Sequence, residues 1–434
     1  MTEQRTFAVT VVRRLRDAGF ESLWAGGCVR DALLGRVPGD YDVATSARPE
    51  QVIDLFGRRL TVPVGVSFGV VMVLDESRKS PPVEVATFRS DGAYVDGRRP
   101  ESVVFSSPEE DARRRDFTIN GMFYDPLNDE LIDYVGGQED LKEKVVRAIG
   151  NAADRFAEDK LRMLRAIRFA ATYSFRLDES TFTAARNLAQ RIVQVSVERI
   201  AQELRRMLAH RSRRESLSLL ESTGLLEVIF PFTVALRKQG TLSAVERCWE
   251  ALEQPAFEPS LATLFRCRYL PDAPVMKDRT KFVRAECRNL RLSNDETDTV
   301  CRLTEQTHRI LSATDLPLHV LKPLLANERS ALLIDLVRAT ELAADGIAHR
   351  AGGLSEYQAS HTPEQLNPPP LIDGRDLMAL GIPSGPLIRE VLTAIRNEQL
   401  DEQLQTRDAA LARVRVLATQ DSLDSSGTAE DASA

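Results

Sequence analysis

The hydrophobic pattern of this chain changes near Gly150. Before this point, short apolar runs such as YDVAT, GVVMVL and VEVATF alternate with turn residues, which is typical of strands. Beyond it, apolar residues recur at helical spacing through FAEDKLRMLRAIRFAATYSF, STFTAARNLAQRIVQV and VERIAQELRRMLAH. The sequence therefore predicts an α+β protein, in which a mixed α/β domain is followed by all-α domains.

Composition places further boundaries in the helical part. The Pro-rich segment HTPEQLNPPPLIDG indicates a linker, and the final stretch SLDSSGTAEDASA is polar and acidic. A chain of 434 residues has room for several domains of roughly 100–200 residues each. We predict domains over 1–150, 151–215, 216–366 and 367–418, and a disordered tail over 419–434.

Several classes of protein are excluded by simple counts. No apolar run approaches the roughly 20 residues of a membrane span, and the N-terminus lacks the pattern of a signal peptide. The five cysteines are widely spaced, without a CxxC pair, so we expect reduced thiols and a cytoplasmic protein without a membrane partner. The net charge of −7 argues against a uniformly basic surface, but a local basic stripe still permits a nucleic-acid partner.

An acidic pair opens one of the predicted strands. Asp40 and Asp42 stand in GDYDVAT, and residues i and i+2 of a strand project from the same face. Two such carboxylates repel each other unless a cation lies between them, and their oxygens suit Mg²⁺. Glu84, in PVEVATF, is the best candidate for a third ligand. An isolated DxD is more often an Asx turn, so the metal-binding interpretation of the pair depends on the residues around it.

Two glycines precede this pair. Gly26 and Gly27 end a strand-like run and begin the helical pattern VRDALLG, a junction that offers backbone N–H groups to a phosphate. Arg30, in the first helical turn, adds a guanidinium. The spacing matches neither a P-loop nor a dinucleotide-binding motif. A phosphate-binding turn followed by a metal-binding pair is typical of a nucleoside-triphosphate site.

Five motifs in succession resemble one known family. GGCVRDALLGRVPGDYDVAT, PVGVSFGVVMV, RRRDFTINGMFYDP, DYVGGQEDL and RFAEDKLRMLRAIRFAA are similar to the motifs of class II tRNA nucleotidyltransferases. These are the CCA-adding enzymes, relatives of bacterial poly(A) polymerases in the polymerase β superfamily. The resemblance implies a catalytic head over 1–150, a nucleotide-selecting neck over 151–215, and a body and a tail that bind tRNA over 216–366 and 367–418.

The resemblance also assigns roles to single residues. It implies that Asp40 and Asp42 bind Mg²⁺ ions, with Mn²⁺ as the alternative, and that Gly27 and Arg30 bind the triphosphate. Arg115 corresponds to a nucleotide-binding arginine and Asp116 to a position beside the ribose. The segment Asp133–Leu141 resembles the hinge between head and neck.

The neck motif AEDKLR has a physical interpretation of its own. On one helix, Asp159 and Arg162 would be neighbours at i and i+3, and would offer an acceptor and a donor. Cytosine and adenine both present an amine beside a bare ring nitrogen, which this pair matches, whereas guanine and uracil present the reverse polarity. We further expect Glu158 to brace Arg162, and Arg165 and Arg168 to reach the triphosphate. The alternative is a solvated helix face of Glu–Arg pairs.

The sequence thus predicts a metal-dependent enzyme that adds CMP and AMP from CTP and ATP to the 3′ end of tRNA. The alternatives are an enzyme that adds only A, a poly(A) polymerase, and a non-catalytic RNA-binding protein on the same scaffold. Leu60 follows GRR where the polymerases typically have GRRFR, which argues against poly(A) synthesis. The long loop 90–111, with Arg98 and Arg99, looks like the full-length form that favours A addition.

Overall fold

The computed structural model describes residues 2–65, 69–91, 103–267 and 276–427. Arg98 and Arg99 lie in 92–102, the half of the loop 90–111 that is outside these ranges. The chain divides into two compact units. The first comprises Met1–Leu242, Pro255–Ser260 and Ala285–Asn294, and the second comprises Ser243–Gln254, Leu261–Arg284 and Asp295–Ala434.

Strands occur in the first unit, among the described residues, and most of them precede Gly150 as the sequence predicts. They are β1 Ser22–Ala25, β2 Asp42–Thr45, β3 Thr61–Gly65, β4 Val70–Val73, β5 Val83–Thr87, β6 Arg89–Asp91, β7 Val103–Phe105, β8 Phe123–Asp125, β9 Glu130–Ile132, β10 Val145–Val146 and β11 Arg176–Leu177.

A seven-stranded mixed sheet forms the frame of the head, in the order β3-β4-β5-β2-β1-β8-β9. In its centre, β2 pairs antiparallel with β1 and parallel with β5. The sheet buries Leu23, Ala44 and Phe123 in a small core against Phe88 and Ala112. β1 is buried throughout and β2 nearly so, whereas burial alternates along β5, where Glu84 is on the exposed face.

Helices cover the rest of the first unit. They are α1 Glu3–Asp17, α2 Gly27–Leu33, α3 Pro49–Phe56, α4 Pro108–Arg114, α5 Gly137–Lys142, α6 Ala152–Glu158, α7 Leu161–Tyr173, α8 Glu179–Leu188, α9 Val197–Leu208, α10 Arg213–Ser222, α11 Leu225–Ile229 and α12 Thr233–Lys238, with 3₁₀ turns at Thr118–Asn120 and Ala189–Gln194.

The neck helix predicted through FAEDKLRMLRAIRFAATYSF is broken in two. α6 ends at Glu158, Asp159 has an extended backbone with φ −135° and ψ 104°, and α7 begins at Leu161. One Oδ of Asp159 accepts the N–H of Leu161 at 3.0 Å, so the side chain stabilises the start of α7. Asp159 therefore does not lie on one continuous helix with Arg162, and the prediction of an i, i+3 pair is wrong.

The segment Asp133–Leu141 leads into α5. The carboxylate of Asp133 accepts backbone N–H groups from Val135 to Gln138 at 2.9–3.1 Å. A Cβ on Gly137 would lie 2.3 Å from the carbonyl oxygen of Thr118, so glycine here permits close packing. Whether this segment acts as a hinge stays a prediction.

The secondary structure of the second unit, in its described residues, consists of helices joined by loops. It contains most of α13 Leu242–Ala251, α14 Phe257–Cys267, α15 Met276–Asn289, α16 Asn294–Ser312, α17 Leu318–Leu325, α18 Ser330–Asp345, α19 His349–Ala359, α20 Pro363–Leu366, α21 Gly374–Ala379, α22 Pro386–Leu400 and α23 Arg407–Gly427. In the described part of the chain, none of the helices is long and apolar enough to cross a membrane.

The C-terminal helices have a core of their own. Ile372, Leu377, Val391, Ile395 and Val414 are buried together there. The backbone of α23 is helical as far as Gly427, which differs from the disorder predicted from residue 419 onward. No glycine or proline interrupts the sequence between 408 and 426, so nothing in it stops the helix earlier. Residues 428–434 lie outside the described ranges.

Candidate active site

Three carboxylates lie around the start of β2. Asp42, the first residue of β2, is directly paired in register with Glu84 of the parallel strand β5. Paired residues of adjacent strands project from the same face of a sheet, so the two side chains are neighbours. Asp40 lies two residues before Asp42, ahead of the strand and exposed. All three line one cavity.

These carboxylates interact unfavourably with one another. Burial, Glu84 and Asp40 raise the pKa of Asp42 to about 7, while Arg115 opposes the shift. Burial and Asp40 likewise raise the pKa of Glu84, which Arg89 opposes. Among the described residues, however, no three His, Cys, Asp or Glu side chains are grouped closely enough to form a ready-made metal site. The charges of the carboxylates therefore raise the pKa values of Asp42 and Glu84, but the three groups do not form a complete ligand set. A bound cation would need further oxygen ligands from water or substrate.

Gly26 and Gly27 form the junction between β1 and α2. Gly26 has φ +70°, which other residues rarely adopt, and its N–H donates to the carbonyl of Met122 at 3.2 Å. A Cβ on Gly26 would lie 2.9 Å from Nη1 of Arg115. Glycine is thus required both for the turn and for the approach of this guanidinium to the start of α2.

Arg30 is buried to 6 % exposure and lines the same cavity. Its Nη1 donates to Oδ1 of Asn120 at 2.6 Å, and its Nε donates to Oδ1 of Asp31 at 2.9 Å. These bonds fix the position of the guanidinium, which the sequence alone does not show.

Asp111 is a site residue that the sequence analysis missed. It is 1 % exposed, and its two oxygens accept from Arg114 at 2.7 Å and from Arg115 at 2.9 Å. Burial works to raise the pKa of Asp111, but the charges of Arg115 and Arg114 hold it below its ordinary value. The signal was present in the sequence, because Asp111 precedes these arginines by three and four residues at the end of α4.

Asp116 and Asn120 connect the head to the neck. Nδ2 of Asn120 donates to Asp116 Oδ1 at 3.1 Å, while Nε of Arg165 donates to Asp116 Oδ2 at 2.8 Å. Burial works to raise the pKa of Asp116, but Arg165 and Asn120 lower it to about 2. Arg165 of α7 is thereby fixed to the head, and Asn120 is a second residue that sequence patterns did not indicate.

Asp159 and Arg162 have separate partners. The Asp159 carboxylate accepts from both Nη atoms of Arg199 on α9, at 2.8 and 3.3 Å. Nη1 of Arg162 donates to Oε2 of Glu158 at 2.7 Å, so Glu158 braces Arg162 as predicted. Both Asp159 and Arg162 nevertheless line the cavity, with Arg162 only 7 % exposed.

Arg168 is not brought to the cavity. Its Nε donates to Oε2 of Glu203 on α9 at 2.6 Å, and it is not among the cavity-lining residues. The expectation that Arg168 reaches a triphosphate therefore has no support from its position.

One cavity of about 610 Å³ unites the other predicted residues. Its lining includes Gly26, Gly27, Arg30, Asp40, Asp42, Glu84, Arg115, Asp116, Asp159, Arg162 and Arg165. The carboxylates lie on the sheet of the head, and the guanidiniums come from α2, the end of α4 and α7. Such a lining offers hard oxygen ligands to a cation beside donors for phosphate groups.

Two family models match parts of the chain. Residues 23–147 match the "Poly A polymerase head domain", and residues 174–236 match a "Probable RNA and SrmB- binding site of polymerase A". The first match covers the sheet and its carboxylates.

Curated proteins of one kind resemble the chain over most of its length. The CCA-adding enzyme of Geobacillus kaustophilus is 36 % identical over 393 residues, covering 89 % of this chain and 91 % of that protein. The CCA-adding enzyme of Streptococcus sanguinis is 41 % identical over 255 residues, covering 56 % of this chain and 62 % of that protein.

Solved structures show the same architecture. The crystal structure of the Bacillus stearothermophilus CCA-adding enzyme in complex with CTP has a TM-score of 0.78 at 28 % identity, covering 97 % of this chain and all of that chain. The Thermotoga maritima CCA-adding enzyme complexed with tRNA shares the fold, with a TM-score of 0.61 at 21 % identity and 96 % coverage of both chains. This chain therefore belongs to the family of CCA-adding enzymes, with a head domain of the poly(A) polymerase type.

Proposed function

We propose that this protein is a CCA-adding tRNA nucleotidyltransferase. It would transfer CMP and AMP from CTP and ATP to the 3′ end of tRNA without a nucleic-acid template, and release pyrophosphate. The observation that carries this proposal is the shared cavity, which joins the carboxylates of the head to Asp159 and Arg162 of the neck. A nucleotide bound in this cavity would lie between the proposed metal-binding carboxylates and the proposed base-reading pair.

The reaction would be an in-line displacement. The 3′ hydroxyl oxygen of tRNA forms a bond to the α-phosphorus of the incoming nucleotide, and the bond from that phosphorus to the pyrophosphate oxygen breaks. The chain's own contribution would be placement and charge stabilisation. Arg30 and Arg115 reach the cavity beside the glycine turn, where they would bind the triphosphate oxygens.

Asp40, Asp42 and Glu84 would hold Mg²⁺, or Mn²⁺ as the alternative. Their oxygens are the ligands that these ions prefer. Burial, and next the charges of Glu84 and Asp40, raise the pKa of Asp42, and a bound cation would offset this unfavourable effect on the carboxylate. Bound there, the ions would lower the pKa of the attacking hydroxyl and stabilise the charge of the triphosphate.

Arg162 and Asp159 would read the base. The Arg162 guanidinium donates to a bare ring nitrogen, and Asp159 accepts from an exocyclic amine, so C and A fit while G and U oppose the pair. Arg199 and the N–H of Leu161 already contact Asp159, but two carboxylate oxygens can accept about four hydrogen bonds. We further propose that the segments 216–366 and 367–418 bind tRNA, as the resemblance to the family implies.

Labelled nucleotides test the proposal. The protein is incubated with tRNAs ending at the discriminator base, at C or at CC, each with labelled CTP or ATP. Growth of all three to CCA is expected. Extension of the CC-ended tRNA alone, by a single A, would show an A-adding enzyme, and a long A tract would show a poly(A) polymerase. Binding of tRNA without any extension would show a non-catalytic RNA-binding protein.

The metal assignment has its own test. Asp42→Ala is expected to abolish nucleotide addition while tRNA affinity, measured by filter binding, is unchanged. Asp54→Ala, which removes an exposed carboxylate of α3, serves as the control. Normal addition by the purified Asp42→Ala protein would refute the role of Asp42.

A further inference from the structure

Tyr173 joins the end of α7 to the helix that carries Arg30. Its hydroxyl donates to Oδ1 of Asp31 at 2.8 Å. The ring lies under two guanidiniums, with the central carbons of Arg30 at 4.5 Å and Arg36 at 4.8 Å from its centroid. Tyr173 itself is not among the cavity-lining residues, so it does not touch a nucleotide placed there.

The oxygen that Tyr173 contacts is the one that holds Arg30. Oδ1 of Asp31 also accepts from Nε of Arg30 at 2.9 Å. Adjacent residues of a helix do not face each other, so this pair forms only when both side chains adopt suitable rotamers. The hydroxyl of Tyr173 favours the rotamer of Asp31 that accepts from Arg30. The ring of Tyr173 packs against the Arg30 guanidinium and further limits the orientations of that side chain.

The contacts form a closed path that starts and ends on α7. From Tyr173 it runs through Asp31 to Arg30, whose Nη1 donates to Asn120 at 2.6 Å. Asn120 contacts Asp116 at 3.1 Å, and Asp116 accepts from Arg165, which lies on α7 again. The path links α7 to α2 from two points on α7 about two turns apart, directly at Tyr173 and through Asp116 and Asn120 at Arg165.

We propose that Tyr173 is a positioning residue that orients Arg30 for the triphosphate. The inference rests on the proposed function, because it takes the cavity to bind a nucleoside triphosphate. Loss of the Tyr173 hydroxyl leaves Arg30 present but less constrained. The effect is therefore a weaker hold on the phosphates of CTP and ATP alike, without a change in base preference.

Calorimetry with the full-length protein and Mg²⁺ tests this without any transfer step. Tyr173→Phe keeps the ring and removes only the hydroxyl, and we expect Kd for CTP, for ATP and for inorganic tripolyphosphate to rise by the same factor, about tenfold. The matched control is Tyr124→Phe, which also loses a tyrosine–aspartate hydrogen bond, but its partner is Asp129, whereas Asp31 is the carboxylate that contacts Arg30. An unchanged Kd for tripolyphosphate, or an equal rise in the control, would overturn the proposal.

A double-mutant cycle separates positioning from general destabilisation. In an Asp31→Ala background, Tyr173→Phe is expected to have no further effect on Kd, since the hydroxyl acts only through Asp31. Equal effects in both backgrounds would contradict the inference. In steady-state assays KM for each nucleotide should rise while kcat changes little. If wild-type protein binds the triphosphates but extends no tRNA, the proposed function is refuted. The positioning role of Tyr173 is still tested by the Kd values alone.

Discussion

Glu158 orients other side chains at the site through ion pairs. It contacts Arg162 and also accepts from Nη1 of Arg155 at 2.7 Å, so one carboxylate holds two guanidiniums at the end of α6. Arg162 is 7 % exposed, and a buried guanidinium without this partner would seek another orientation.

Glu158→Gln is therefore expected to lower base selectivity. The amide keeps the size of the side chain but loses its charge, so Arg162 donates less reliably to the ring nitrogen of the base. We expect the ratio of CTP to UTP incorporation to fall by about tenfold. Labelled CTP and UTP in parallel single-turnover assays measure the ratio, with Glu179→Gln on the exposed start of α8 as the control. An unchanged ratio would show that Arg162 is held by its other contacts.

Asp116 makes the stability of the first unit depend on pH. Its pKa in the folded protein is about 2, below the ordinary value of 3.8, so its contribution is complete above about pH 4 and is lost as the pH falls toward 2. The difference corresponds to about 2 kcal/mol. Asp116→Asn should reduce the free energy of unfolding by this amount at pH 7 and by much less near pH 2.

Urea unfolding measures this effect when Trp24 is the only tryptophan. The chain has two tryptophans, so a Trp249→Phe background reports the first unit alone. A loss that is equal at pH 7 and pH 2 would mean that the Asp116 charge is not the cause.

At the scale of elements, the junction of β1 and α2 combines two requirements at Gly26. Gly26→Ala would force a side chain into φ +70° and place its Cβ 2.9 Å from Arg115. We expect a stability loss of roughly 1–2 kcal/mol and a KM for nucleotides raised about tenfold, because Arg115 must move. Gly39→Ala, close to Asp40 but with open space around its Cβ, should leave both nearly unchanged. Equal effects at the two glycines would contradict this explanation.

The elements also show what sequence patterns can and cannot predict. The strand–glycine–helix junction and the shift to helices after Gly150 follow from local periodicity, and the structure confirms them. The register that pairs Asp42 with Glu84 depends on the fold and is not contained in either strand's own pattern. The break at Asp159 does not follow from local periodicity either, because FAEDKLRML has helical spacing throughout, and the Arg199 contact that accompanies the extended conformation comes from 40 residues later.

The burial of polar side chains and their long-range partners could not be inferred from the sequence either. Asp111 precedes its arginines at helical spacing, but the sequence does not show that it is buried. Asn120 joins Arg30 to Asp116 only because the 3₁₀ turn at Thr118–Asn120 packs on α2. The bonds of Asn120 depend on residues brought together by the fold, so no local pattern indicates them.

At the scale of the whole molecule, the second unit has its own polar connections between helices. The carboxylate of Asp401, at the end of α22, accepts the N–H of His319 at 2.8 Å and contacts its Nδ1 at 2.7 Å. Next to it, Lys322 is 3 % exposed and donates to Glu402 at 2.7 Å. These bonds attach α17 to the C-terminal helices.

Asp401→Ala is expected to destabilise the second unit by about 1–3 kcal/mol, because it removes two hydrogen bonds from the start of α17. Urea unfolding followed through Trp249, in a Trp24→Phe background, measures the loss. The exposed Asp408, replaced by Ala, provides the control. A loss no larger than that of the control would show that α17 does not depend on this bond.

The double attachment of α7 has an evolutionary consequence. This helix carries Arg162 near its start, Arg165 one turn later and Tyr173 at its end, so the proposed base reading and triphosphate binding would both depend on one helix. Under the proposed function, a mutation that alters base preference by tilting α7 would be pleiotropic, since it would also weaken the binding of every nucleotide. Laboratory evolution toward another base would therefore have to use substitutions that leave the axis of α7 in place. This would restrict the useful substitutions to a few positions around 158–162.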